Sequence, residues 1–120
     1  MAKSKKFLTR DEILEIDDLP TKEVWVPYWK AYVKVRILNA GERDAFEASL
    51  YDKDGNMRLE GMRARLVSLV CVDEAGERLF TEADAELLNK KSAAAIDLIV
   101  DEAKSLNRML KEDFEELEKN

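Results

Sequence analysis

The sequence contains no histidine, one cysteine, two prolines and four glycines. Without histidine, imidazole general bases, histidine-based nucleophilic triads and histidine-bearing zinc sites are excluded. Cys71 alone can close no intramolecular disulfide and build no thiolate cluster, and one unpaired thiol suits a reducing cytoplasm. The glycines stand singly at 41, 55, 61 and 76, so there is no Gly-rich loop to cradle a phosphate. No apolar run is longer than Leu69–Val72, far short of the ~20 residues that span a bilayer. No apolar h-region precedes Asp11, as a secretory signal would require. Positive charge is also in deficit, with 20 Lys and Arg against 26 Asp and Glu and a net charge of −6. Nucleic-acid binding needs a basic face to neutralise phosphates, so this balance argues against it. The expectation is a cytoplasmic protein with no cofactor and with neither nucleic acid nor membrane as a partner.

What is present is 46% apolar and 38% charged residues, the mixture of a globular domain with a heavily charged exterior. Residues 1–9 read as a basic arm. Thr9 and Glu12 have capping-box spacing and open a short helix over Arg10–Ile16, which Asp17-Asp18-Leu19-Pro20 ends. The period then changes. Glu23–Val26 and Tyr32–Ile37 alternate in polarity and are rich in β-branched and aromatic residues, predicting an antiparallel hairpin. On the second strand Val33, Val35 and Ile37 should face helices, with Lys34 and Arg36 facing water. Asn39 with Glu42 caps a helix through roughly Tyr51, and Asp52–Asn56 breaks the chain. A second helix is predicted over Met57–Val72; it is apolar all round from Leu66 and so is the candidate buried element. Asp73–Gly76 is a turn, Thr81 starts a short helix to about Leu88, and Ser92 caps a helix from Ala93 to about Leu106. Its stripe is Ile96, Ile99, Val100, Ala103 and Leu106. Asn107-Arg108 interrupts it, and residues 111–120 form an acidic tail or helix end. The fold class is α+β: a mostly α-helical single domain over residues 10–110 with one small antiparallel β-hairpin near the N-terminus.

Few groupings carry chemistry. Asp52-Lys-Asp54-Gly-Asn56 begins like a calcium loop, but Met57 stands where an EF-hand needs glycine and Arg63 where it needs glutamate. The acids mostly alternate with Lys or Arg along helix faces, the pattern of a solvated surface. Cys71, among apolar neighbours, reads as a buried and inert thiol. The informative cluster is aromatic. Trp25, Tyr28, Trp29 and Tyr32 are four of nine aromatics, gathered within eight residues at the hairpin and its tip. They are either a lid folded over the helices or a contact surface, for which Trp and Tyr are well suited.

The order of these signals resembles the small tail assembly chaperones of long-tailed, siphovirus-type bacteriophages and prophages. The likeness runs from about Thr21 to Leu110. It is carried by the valine-rich hairpin leading into Arg36-Ile-Leu-Asn-Ala-Gly-Glu-Arg-Asp-Ala-Phe46, then Arg63-Ala-Arg-Leu-Val-Ser-Leu-Val-Cys-Val-Asp73. Gly76-Glu-Arg-Leu-Phe-Thr81, Ala85-Glu-Leu-Leu-Asn-Lys-Lys-Ser-Ala-Ala-Ala95 and Leu106-Asn107 complete it. The resemblance implies a non-enzymatic protein of virion morphogenesis that binds the tape measure protein and tail tube subunits, keeps the former soluble and is absent from the mature virion. Many such proteins also exist in a longer, frameshifted form. Self-association into a homo-oligomer stays open. Aromatic density and helical spacing, rather than the resemblance, nominate the contact residues: Trp25, Tyr28, Trp29 and Tyr32, with Leu110, Phe114 and Leu117 on the last helix. Two other classes compete. A small acidic regulator or inhibitor would need acids on one face without interleaved cations, and a histidine-free enzyme would need a cleft of converging carboxylates or lysines.

Overall fold

The computed structural model of the chain describes residues 5–108. Helix α1 (Arg10–Glu15) is closed by the reciprocal Thr9/Glu12 capping box. No residue of α1 is buried, and Ile13, Leu14 and Ile16 lie exposed. Strands β1 (Thr21–Val26) and β2 (Ala31–Arg36) form the expected antiparallel hairpin, in a register pairing Thr21 with Arg36 and Val26 with Ala31. The chain is pinned where it enters β1, since Ile37 N–H donates to Pro20 C=O.

Helix α2 (Ala40–Ala48) starts at the Asn39/Glu42 capping box. It stops short of Tyr51 because Ser49 turns its hydroxyl onto Phe46 C=O, and Tyr51 instead bridges to Met57 across the Asp52–Asn56 turn. Within that turn Asp52 Oδ1 accepts from the N–H groups of Asp54 and Asn56, which holds the loop in place.

The predicted Met57–Val72 helix is shorter at both ends. Helix α3 is Met62–Val70, because Gly61 at φ +70° sets the left-handed bend before it. Beyond Val70 the chain becomes a third strand, β3 (Cys71–Val72), pairing antiparallel with β2 through Lys34–Val72 and Val35–Cys71. The expected hairpin is therefore a three-stranded sheet in the order β1-β2-β3. A short apolar run has no period that separates buried helix from buried strand, so the sequence does not mark the change at Cys71. The Asp73–Gly76 turn follows. Thr81 N–H donates to the Asp84 carboxylate over a 3-10 turn (Glu82–Asp84) leading into α4 (Ala85–Leu88), and Ser92 caps α5 (Ala93–Leu106).

The core lies between the inner face of the sheet and the two apolar helices α3 and α5. Val24, Val26 and Val35 meet Leu66, Val67 and Val70 of α3 and Ile96, Ile99, Val100 and Ala103 of α5, all buried. Alternation in β1 and helical spacing in α5 deliver these residues to one side. Full burial of a Leu or Ile side chain contributes about 1.5–3 kcal/mol, so this layer is the main source of stability.

Two polar anchors close the ends of the layer. Arg36, expected to face water, is 13% exposed and instead joins three elements. Its guanidinium donates to both Glu42 oxygens (2.9 and 2.6 Å) at the start of α2 and to Leu69 C=O (3.1 and 2.8 Å) at the end of α3. Helix C-terminal carbonyls lack intrahelical donors, and a helix N-terminus favours a carboxylate; one arginine meets both needs. The second anchor is Asn107, whose amide is buried. It accepts from Leu38 N–H (2.7 Å) and donates to Ala103 C=O (2.9 Å) and Arg36 C=O (3.3 Å).

Burial works to raise the Glu42 pKa, but hydrogen bonds from Arg36 and the Asn39 N–H, with the charges of Arg36 and Arg78, outweigh it and hold the carboxyl below its ordinary 4.5. A depressed folded pKa contributes stability above the unfolded value that is lost as pH falls through the folded one. Glu42→Gln should therefore cost about 1–2 kcal/mol at neutral pH. Urea melts of both proteins should converge as the pH drops below about 4.5; a gap constant with pH would contradict the ion pair.

Candidate functional site

Pro27 begins the turn between β1 and β2, where Trp29 N–H donates to Val26 C=O (3.0 Å) and Lys30 N–H to Pro27 C=O (3.2 Å). Lys30 adopts φ +52°, the left-handed geometry that glycine takes without cost, and so closes a hairpin tip that has no glycine. This turn holds Tyr28 and Trp29 at the apex, 61% and 38% exposed. Trp25 and Tyr32, opposite each other in the register, meet edge to face with ring centroids 5.0 Å apart and remain 46% and 65% exposed. Both alternate with the buried valines of their strands, which places them on the outer face of the sheet.

The four hairpin aromatics are thus gathered on one element, outside the core. Leu110, Phe114 and Leu117 lie outside the described residues, as does the segment 111–120. Such a cluster offers rigid apolar area with few torsions to freeze, which is what a protein-binding surface needs.

A second feature adjoins it, one that no motif marks. An open groove of about 740 Å³ runs along the outer sheet face from Tyr32 past Val72 to Leu79, with Glu23, Lys34, Asp73 and Glu74 around it. Its residues come from four separated stretches of the chain, and Leu79 reads in sequence only as the approach to a helix. A smaller cleft of about 230 Å³ between α2 and α3 is lined by Ala45, Phe46 and Leu69, with Arg65 and Glu82 among its polar residues. Arg65 is held by Ser49 and by Glu60 C=O.

Cys71 is buried and burial pushes its thiol up to about 12, so it stays protonated and unreactive at physiological pH. Among the described residues no group of three acids or thiols is placed to hold a metal ion, and no helix is long and apolar enough to cross a membrane.

No protein-family model matches the sequence, and no curated protein matches it either. Among solved structures, the backbone matches that of the bacteriophage HK97 tail assembly chaperone with a TM-score of 0.56, covering 81% of this chain and 86% of that one at 16% identity. The chain shares the fold of that protein. The likeness at this identity lies in the arrangement of elements rather than in shared side chains. In this fold the hairpin supplies two of the three strands of the sheet, its valines facing the helices and its aromatics facing away from them.

Proposed function

We propose that this chain is a phage tail assembly chaperone that binds the tape measure protein, and tail tube subunits, during tail morphogenesis and keeps the tape measure protein soluble without catalysing a reaction. The carrying observation is the fold shared with the HK97 chaperone over most of both chains. Exposed aromatics on an otherwise charged body fit the role, because a partner with apolar helical stripes needs apolar contact area on a soluble carrier. The net charge of −6 would keep loaded copies apart. On this reading the chain works in the bacterial cytoplasm and leaves before the virion is finished. The competing acidic-inhibitor reading lacks its surface among the described residues, where Arg10–Asp11, Lys22–Glu102 and Arg63–Asp97 pairs interleave both signs.

The test is co-expression with a tape measure protein from the same genome. The soluble fraction of that protein should rise several-fold with this chain present. A soluble fraction that does not change would remove the proposal's main support.

A further inference from the structure

The groove on the outer sheet face differs from the aromatic tip in having an apolar floor with charged walls. Tyr32 and Leu79, 65% and 48% exposed, supply the apolar surface of the floor, and the buried Val72 lies beneath it. Lys34 stands opposite Glu23 in the strand register and offsets it, so the surplus negative charge sits at Asp73 and Glu74. The loop bearing these acids is held in place: Asp73 Oδ1 accepts from the N–H groups of Ala75 (2.8 Å) and Glu77 (3.0 Å), and Gly76 takes φ +86°. Added strands pair along sheet edges, whereas this floor is a sheet face, and the edge beside it is already bridged by Arg78 to Val72. A negative wall also disfavours anions and nucleic acid.

We infer that this groove seats a short amphipathic helix whose apolar stripe rests on Tyr32 and Leu79 and whose flanking Lys or Arg residues meet Asp73 and Glu74. This rests on the chaperone reading, and it specifies the chemistry of the partner segment: apolar at three- and four-residue spacing, and basic beside the stripe.

The probe is a labelled peptide about five helical turns long, with Leu on one stripe and Lys elsewhere, beside a twin carrying Glu in place of Lys. Anisotropy with the full chain at physiological salt should show the Lys peptide binding at least about tenfold tighter than the Glu peptide. Glu74→Lys and Leu79→Ser should each weaken it about fivefold or more, while Glu60→Lys, the same charge change on a residue outside the groove, should change it less than about twofold. Equal weakening by Glu74→Lys and Glu60→Lys would reduce the effect to bulk charge and overturn the assignment. Indifference to Leu79→Ser would overturn it as well. Co-expression separates the two readings. If wild-type chain fails to keep the tape measure protein soluble, the chaperone reading fails whatever the peptides do. If it succeeds and the Glu74→Lys/Leu79→Ser double variant succeeds equally, the groove falls and the chaperone reading stands.

Discussion

Asn107→Ala is expected to destabilise the fold by about 3–4 kcal/mol, well beyond an average substitution. The amide makes three hydrogen bonds, to Leu38, Ala103 and Arg36, and is 5% exposed. Removing it strands the Leu38 N–H and the Arg36 C=O away from water, and each orphaned group costs about 1–3 kcal/mol. It also frees the end of α5 from the connection between β2 and α2. Leu38 itself is buried, so that connection cannot swing out to find solvent without giving up apolar contacts. Equilibrium urea denaturation should show the midpoint falling with the slope unchanged, and the melting temperature should drop by more than about 10 °C. A loss under about 1 kcal/mol would mean that water replaces the amide and that Asn107 is no anchor.

The second large effect is on binding and leaves stability nearly alone. Tyr28→Ser with Trp29→Ser should weaken capture of the tape measure protein by about 100-fold or more, the loss expected for two aromatic hot-spot residues. Both side chains sit at the turn with much of their surface in solvent, so their removal should lower the melting temperature by only a few degrees. Pull-down titration and thermal melting on the same preparations separate the two roles. Lost capture with an intact fold supports a contact surface; a collapse of the melting temperature would make these residues structural.

Local chemistry was readable in the sequence. The caps at Thr9, Asn39 and Ser92 depend on residues three apart, and each formed where spacing placed it. The hairpin followed from alternation, and α5 matched its predicted span because Ser92 and Asn107 mark both ends. What escaped was set by distant partners. Cys71–Val72 becomes a strand because β2 offers it an edge, which the apolar run does not record. Arg36 does sit on the outer side of its strand, but the first turn of α2 and the last of α3 close over that end and bury it. Asn107 reads as a helix stop, and its long-range partners appear only once the chain is folded. The candidate site divides in the same way. Aromatic density nominates the hairpin, whereas the groove is assembled from residues between Glu23 and Leu79 that form no motif.

The exposed hairpin is expected to meet the partner, and the sequence provides a direct reporter. Its two tryptophans are Trp25 and Trp29, both in this element. Chain labelled with 5-fluorotryptophan should therefore give two fluorine resonances, each reporting on the hairpin alone. Titration with unlabelled tape measure protein should shift or broaden both resonances in step with complex formation measured by light scattering. A complex that forms while both resonances stay in place would contradict the account, as would the absence of any complex.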